Sequence, residues 1–378
     1  MNFLAQKFEL SRGGGAHNVR PMEGLRGFAV ALVFLVHYVT LVTPWIKGSP
    51  LANLAEALHT IGNTGVDLFF VLSGYLIYGS LISRPQRFMR FMSRRIVRIY
   101  PTFIVVFAVY LALSFLFPAE SKIPAPFSQG LIYVAQNFFL LPGIFPIEPM
   151  ITVAWSLSYE MFYYLAIPLI IMLFGLRQRS ASWRTGFFLL IAVAMLAYCA
   201  VYGGNIRLMM FVAGILLHEA IEGARFARVG SVAGFTALFI GLASTLLQLP
   251  GPGGAALKFA ILFISFFILC MASFRGPDAL LPRSFSWTPL RWLGNMSYSY
   301  YLLHGLALKL AFMLFGHILP KDGLHGVWIF WGLLLPMFAF TLIPTAGLFL
   351  IIERPLSLAP RREAGGTAGA PAATAGAP

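Results

Sequence analysis

The sequence predicts an all-α integral membrane protein of about ten transmembrane helices, with both termini in the cytoplasm. Three observations lead to this fold class: the residue composition, a series of apolar segments of similar length, and the distribution of arginine. Hydrophobic residues occupy 59% of the 378 positions and charged residues only 11%, whereas soluble domains carry about 25% charged residues. The mean hydropathy is +0.80. The composition therefore indicates a protein that folds in a membrane rather than in water.

Ten apolar segments approach the ~20 residues that a helix needs to cross a bilayer. Another apolar run, over 129–141, is flanked by prolines and is too short to span, so we expect it to be interfacial or re-entrant. Residues 1–20 are polar and basic and predict a cytoplasmic lead-in, while 357–378 is low in complexity and predicts a disordered cytoplasmic tail. The spans are predicted at 24–43, 65–83, 99–117, 152–174, 185–202, 205–220, 231–249, 255–274, 292–316 and 326–352.

Most of the 27 lysines and arginines fall in alternate loops between these segments. This is the positive-inside pattern, and adding or removing one helix would invert every later loop, so the number of spans is predicted to be even. A net charge of +14 would suggest nucleic acid in a soluble protein. Here topology accounts for the charge, and no nucleic-acid partner is expected. No C-x-x-C motif or His/Cys cluster suggests a metal.

The first predicted span carries two ionisable residues, Arg26 at one end and His37 well inside. The two residues are eleven positions apart, which is almost a whole number of helical turns. Both side chains therefore lie on one face of the helix, about 16 Å apart along its axis. Ionisable groups at such depth usually face a cavity. His37 could also serve only as a hydrogen-bonding partner of a neighbouring helix.

Further polar residues are predicted to lie at a depth similar to that of His37. Ser73 and Glu160 each fall about 12 Å below the outer boundary, and Tyr301 and His304 fall near the midplane. Each has a simpler interpretation: the serine can bond back to its own helix, and the histidine can be a satisfied core residue. An intramembrane carboxylate needs a partner or a proton, so Glu160 is the hardest to dismiss.

Six arginines precede the third predicted span. Arg95 and Arg98 are three residues apart on a helix and face the same way. Guanidinium groups suit phosphate recognition, so with Arg26 nearby the inner face could hold a polyphosphate. Lipid headgroup contact is the alternative. The six are Arg84, Arg87, Arg90, Arg94, Arg95 and Arg98.

At these residues the sequence resembles the acyltransferase family 3 proteins, multi-pass enzymes that acylate bacterial surface glycans and other acceptors. The resemblance covers about 20–356, and we assign an acyltransferase membrane domain to 21–356. The motifs that carry it, in order, are Leu25-Arg26-Gly27 with His37, Gly65 to Gly74, Arg95-x-x-Arg98 with Tyr100-Pro101, Trp155 to Glu160, Arg207-Leu208 with Phe211 and Gly214, Ser297 to His304, and Glu353-Arg354-Pro355.

The resemblance implies a bacterial cytoplasmic membrane enzyme with no bound cofactor. The donor would be a cytoplasmic acyl-CoA, most often acetyl-CoA, and the acceptor a hydroxyl of an external glycan or lipid-linked sugar. Arg26, Arg95 and Arg98 would hold the CoA phosphates. His37 would be the general base, and Glu160 would orient it or bind the sugar. The acceptor or the oxyanion would be held by Asp67, Ser73, Tyr159, Arg207, Tyr301 and His304.

Two residues depart from the family pattern. Glu23 stands where the family often has Asp, and Tyr159 stands where a small apolar residue is commoner. Some relatives carry an extracytoplasmic hydrolase-like domain, for which this sequence has no room, so a stand-alone membrane domain is expected. Two other classes stay open: a proton-coupled transporter or flippase, since intramembrane His and Glu also form proton relays, and a non-catalytic scaffold of a glycan assembly complex.

Overall fold

A computed structural model describes residues 2–10, 19–223, 229–274, 279–319 and 326–358. Within these ranges the chain is helical and forms no strand; the one bridge, between Pro142 and Phe145, is isolated. A π-helical segment, Phe349–Leu358, continues the last α-helix. The α-helices are α1 (Asn2–Phe8), α2 (Val19–Ile46), α3 (Ala52–Ile82), α4 (Phe88–Leu116), α5 (Phe127–Phe138), α6 (Trp155–Leu173), α7 (Ala181–Tyr202), α8 (Met209–Glu222), α9 (Ser231–Ser244), α10 (Gly251–Phe274), α11 (Leu280–Phe285), α12 (Thr288–Asn295), α13 (Ser297–Ile318) and α14 (Gly326–Leu348).

The predicted fold class is confirmed: the protein is an all-α integral membrane protein. Eight helices in the described ranges are long and apolar enough to cross a membrane. The sixth and seventh predicted spans are α8 and α9, of 14 residues each. Such a helix is about 21 Å long, against ~30 Å of hydrocarbon. The count of ten spans therefore stays a prediction. The eight long helices are also an even number, as the arginine distribution requires of the spans.

Two other expectations concern short or terminal segments. The run predicted to be too short to span is α5, a helix of 12 residues. The predicted disordered tail lies outside the described residues apart from 357–358, and so does most of the second half of the predicted lead-in. The first half of that lead-in contains α1.

Helix α4 begins well before the span predicted at 99–117. Phe91 and Met92 are buried, so the segment that contains the arginines is an amphipathic helical extension rather than a loop. Arg95 and Arg98 consequently lie two to three turns inside a helix that starts at Phe88.

Glycines let the central helices approach at backbone distance. A Cβ on Gly74 of α3 would lie 2.1 Å from the main-chain oxygen of Phe211, and one on Gly214 of α8 would lie 2.0 Å from that of Val71. The same close approach joins α2 to α12, where a Cβ on Gly27 would lie 1.9 Å from a main-chain oxygen. Arg26 is thereby held against the start of α13.

Candidate active site

A central cavity of about 260 Å³ lies between α2, α3, α4, α6 and α13. One wall is apolar, with Leu72, Ile77 and Ile99 among its residues. The cavity brings together six of the eleven predicted site residues, which come from five different helices: Arg26, Ser73, Arg95, Arg98, Glu160 and Tyr301.

The arginines of this cavity are held by specific partners. Arg98 donates to Glu353 (Nη1 to Oε1, 2.7 Å), whose side chain is fully buried. The other oxygen of Glu353 accepts hydrogen bonds from the main-chain N (3.0 Å) and the hydroxyl (2.6 Å) of Ser299. Arg26 donates to the hydroxyl of Ser297 from Nη2 (2.9 Å) and Nε (3.2 Å). The cations are therefore fixed before any ligand binds.

Glu160 lies with these arginines. The hydroxyl of Tyr164 donates to it (2.5 Å), and the guanidinium of Arg95 lies 5.3 Å from the centre of the Tyr164 ring. No hydrogen bond joins Glu160 to His37 in the described part of the chain. The expectation that Glu160 orients His37 therefore stays a prediction without a contact behind it, since Glu160 lines the central cavity and His37 does not.

A second, wider cavity of about 860 Å³ adjoins the first. Arg95 and Arg98 line both cavities. Among the described residues no acidic side chain lines the wider one, and its basic residues are Arg84, Arg90, Arg94, Arg95 and Arg98. We name this space the arginine cavity.

His37 and His304 are in contact, with ring centroids 4.9 Å apart and edge to face. Nδ1 of His304 lies 2.8 Å from the main-chain oxygen of Tyr300 and 3.0 Å from that of Tyr301. A carbonyl only accepts, so Nδ1 carries the hydrogen and Nε2 is left as an acceptor. That nitrogen is buried, and no described residue forms a hydrogen bond with it.

The histidine pair does not line the central cavity. Tyr301 connects the two sites, because it lines the cavity and its ring centroid lies 6.3 Å from that of His304. The Tyr301 hydroxyl accepts from Ser156 (2.8 Å) and donates to the oxygen of Val153 (3.1 Å). Phe69 packs edge to face on Tyr301 (6.1 Å), so these two rings close the cavity on the side of the histidines.

The remaining three predicted residues lie elsewhere. Asp67 and Arg207 form an ion pair (3.3 Å) and line a separate cavity. Tyr159 is buried, and its ring packs against Phe70 (5.7 Å) and Trp155 (5.5 Å). The structure thus divides the eleven residues into a central group, a histidine pair, an Asp67–Arg207 pair and a packed tyrosine.

Sequence reasoning missed Glu353 as a site residue, although its motif was recognised. The last span was predicted to end at 352, which placed this carboxylate just outside the membrane segment. The available signal was a single acidic residue at the end of a long apolar run, opposite several unassigned arginines.

Comparison with known proteins finds relatives among O-acetyltransferases. The chain is 26% identical over 327 residues to the peptidoglycan O-acetyltransferase OatA of Listeria monocytogenes, which covers 76% of this chain and 49% of that protein. It is 26% identical over 314 residues to the O-acetyltransferase OatA of Staphylococcus aureus, covering 75% and 49%. An uncharacterised Haemophilus influenzae protein is 35% identical over 120 residues, covering 29% and 49%.

The chain thus spans about half the length of the curated relatives that it matches. No solved structure matches it. A family model described as an acyltransferase domain matches residues 21–351, which include the histidine pair and all the described lining residues of the central and arginine cavities except Leu358 and Ser357. On that match, this chain belongs to the acyltransferase domain family.

Proposed function

We propose that this protein is a bacterial cytoplasmic membrane O-acyltransferase that moves an acyl group, acetyl in the first instance, from cytoplasmic acyl-CoA to a hydroxyl of an external glycan or lipid-linked sugar. The observation that carries the proposal is a pair of adjoining cavities, one wide and basic and one narrow and partly apolar, that share Arg95 and Arg98. The glycan acceptor is supported by the relatives, one of which is named for peptidoglycan.

The two cavities match the two halves of acyl-CoA. Its nucleotide end carries a diphosphate and a 3′-phosphate, and five arginines line the wide cavity, whose described lining residues include no acidic side chain. Guanidinium groups bind phosphate through paired, charge-assisted hydrogen bonds. The pantetheine arm is slender and mostly uncharged, which suits the narrower space beside Leu72 and Ile99.

In this scheme His37 is the general base. The acceptor oxygen attacks the thioester carbonyl while the imidazole takes the hydroxyl proton. The C–O bond forms, the C–S bond breaks, and the proton returns to the CoA thiolate. A positioned base contributes roughly 10²- to 10⁴-fold in rate. The bare Nε2 of His304 beside His37 is a second acceptor for the incoming hydroxyl.

Transfer requires the central cavity to open toward the histidines. The Tyr301 hydroxyl is held by two hydrogen bonds, whereas Phe69 is apolar and only partly buried. We therefore assign the movement to Phe69. Once the ring turns away, the Tyr301 hydroxyl can redirect its one hydrogen from the main-chain oxygen of Val153 to the carbonyl oxygen as negative charge develops there.

The proposal is tested on the full chain in proteoliposomes with labelled acetyl-CoA and a soluble disaccharide fragment of peptidoglycan. We expect acceptor-dependent CoA release matched one to one by labelled acceptor. Arg95→Gln should raise the KM for acetyl-CoA at least tenfold, because charge-assisted hydrogen bonds contribute about 1.5–3 kcal/mol. Arg179→Gln is the control, since Arg179 is an exposed arginine outside both cavities.

Two results would contradict the proposal. One is that vesicles with the unaltered protein release no more CoA than vesicles with His37→Ala, whether or not the acceptor is present. The other is acceptor movement across the bilayer without CoA release, which would favour the transporter class instead.

A further inference from the structure

The ion pair Asp67–Arg207 lines a cavity of about 260 Å³ that is separate from the central and arginine cavities. We name it the outer cavity, because the predicted topology places the start of α3 and the start of α10 outside. Its other residues supply hydroxyl, amide and ammonium groups and a small apolar wall: Thr60, Asn63, Thr64, Thr245, Lys258, Phe259 and Leu262.

One oxygen of Asp67 has no hydrogen-bond partner among the residues that the structure describes. Oδ2 lies 3.3 Å from Nη1 of Arg207, while Oδ1 is buried and accepts no hydrogen bond from the described residues. A buried acceptor without a donor costs roughly 1–3 kcal/mol, so native proteins rarely retain one without a use. A hydroxyl or amide N–H of a ligand in this cavity would supply the missing donor.

The cations of the outer cavity exceed its anions by one. Arg207 is already committed: it pairs with Asp67, donates to the main-chain oxygen of Asn63 (3.2 Å) and lies 5.7 Å from the ring centres of Trp155 and Phe259. Lys258 donates to the main-chain oxygen of Leu247 (3.2 Å) and forms no ion pair in the described part of the chain. Its ammonium is therefore available to an anionic group.

Helix α3 connects the outer cavity to α2, the helix that carries His37. Asn63 donates through its side chain to the main-chain oxygen of His59 (3.0 Å). Gly62, next to Asn63, packs against α2: a Cβ there would lie 2.6 Å from the main-chain oxygen of Leu32 and 2.8 Å from the side chain of Val36, the residue before His37. A ligand seated against Asn63 and Asp67 is thus held on the same helix, α3, that lies beside the proposed base.

We propose that the outer cavity is a subsite for one anionic sugar unit of the acceptor. Asp67 and Asn63 would bind its hydroxyl or amide groups, Lys258 its negative charge, and Phe259 the apolar face of its ring. The volume is slightly below the ~300 Å³ at the lower end of ligand pockets, which fits one ring rather than an oligosaccharide. This inference rests on the proposed function for its biological sense, but binding can be measured without any catalysis.

The test measures the binding of two matched sugars to the full chain in nanodiscs. The affinity of each sugar is determined by titration with saturation-transfer NMR. N-acetylmuramic acid and N-acetylglucosamine differ in a lactyl ether that carries a carboxylate. We expect the anionic sugar to bind about tenfold more tightly. Lys258→Gln should abolish that difference, and Lys309→Gln should preserve it, because Lys309 is an exposed lysine paired with Glu120. His37→Ala should bind both sugars as the unaltered protein does.

The outcomes separate the two proposals. Equal affinity for the two sugars, or an unchanged ratio in a folded Lys258→Gln protein, would overturn the subsite. Glycerol 1-phosphate binding more tightly than N-acetylmuramic acid would also overturn it, since the site would then select a lipid headgroup phosphate. If the unaltered protein showed the sugar preference but no acyl transfer in the proteoliposome assay, the proposed function would be refuted and the subsite would stand.

Discussion

The ion pair between Arg98 and Glu353 makes a quantitative prediction. Glu353 is fully buried and Arg98 keeps 23% of its side chain exposed. Removing one partner of a buried pair costs about 3–5 kcal/mol, because the other charge is left uncompensated. Partial exposure of the arginine favours the lower end, so we expect Arg98→Met to lower the free energy of unfolding by about 3 kcal/mol.

The same substitution also removes a proposed phosphate ligand, so activity alone cannot separate the two effects. The double variant Arg98→Met with Glu353→Gln leaves no buried charge. It should recover about 2 kcal/mol of the lost stability, yet keep a KM for acyl-CoA at least tenfold above that of the unaltered protein. Steric trapping in bicelles measures the stability, and initial rates in proteoliposomes measure the KM.

Arg90→Met is the matched control, since Arg90 is exposed, lines the arginine cavity and forms no ion pair in the described ranges. We expect its stability to change by less than ~0.5 kcal/mol. If Arg98→Met were as stable as Arg90→Met, the buried-pair argument would be wrong. If the double variant regained a normal KM, Arg98 would be a structural residue only.

Three other predictions follow from the site and the packing. His37→Ala should reduce kcat roughly 10²- to 10⁴-fold in the proteoliposome assay with little change in the KM for acetyl-CoA. Phe69→Ala should enlarge the closed end of the central cavity and raise the ratio of butyryl to acetyl transfer about tenfold, measured as kcat/KM for each acyl-CoA; an unchanged ratio would place the acyl group elsewhere. Gly214→Ala would put a Cβ 2.0 Å from the main-chain oxygen of Val71 and should cost about 1–3 kcal/mol or more, whereas Gly186→Ala, with nothing within 4 Å, should be stabilising by up to ~1 kcal/mol in thermal unfolding.

The sequence located the helices well and their ends less well. Apolar length predicted each of the eight long helices, since twenty apolar residues in a row have few alternatives in lipid. The start of α4 differs from the predicted one because Arg90, Arg94 and Arg95 interrupt the apolar run, while the buried side chains of Phe91 and Met92 continue the helix. A hydropathy argument weighs residues in sequence, whereas an amphipathic extension depends on which face is buried.

The site was predicted as a set of residues but not as an arrangement. Depth estimates placed His37 and His304 together, and their rings are in contact. The same estimates placed Glu160 with them, yet it lies beside Tyr164 among the arginines. Depth along the membrane normal is only one of three coordinates. Two residues at the same depth are in contact only if their helices are also neighbours in the membrane plane.

The sequence by itself determined the class of protein, the apolar helices and the identity of the polar residues inside them, because these follow from local composition and residue spacing. Tertiary structure decided which of those residues meet. Arg98 pairs with a carboxylate 255 positions later, and the eleven predicted residues are divided between two cavities, a histidine pair and a packed tyrosine. The physical reason is that glycine crossings between distant segments, such as Gly74 on Phe211, set the lateral order of the helices. That order is a property of packing between helices and not of any one of them.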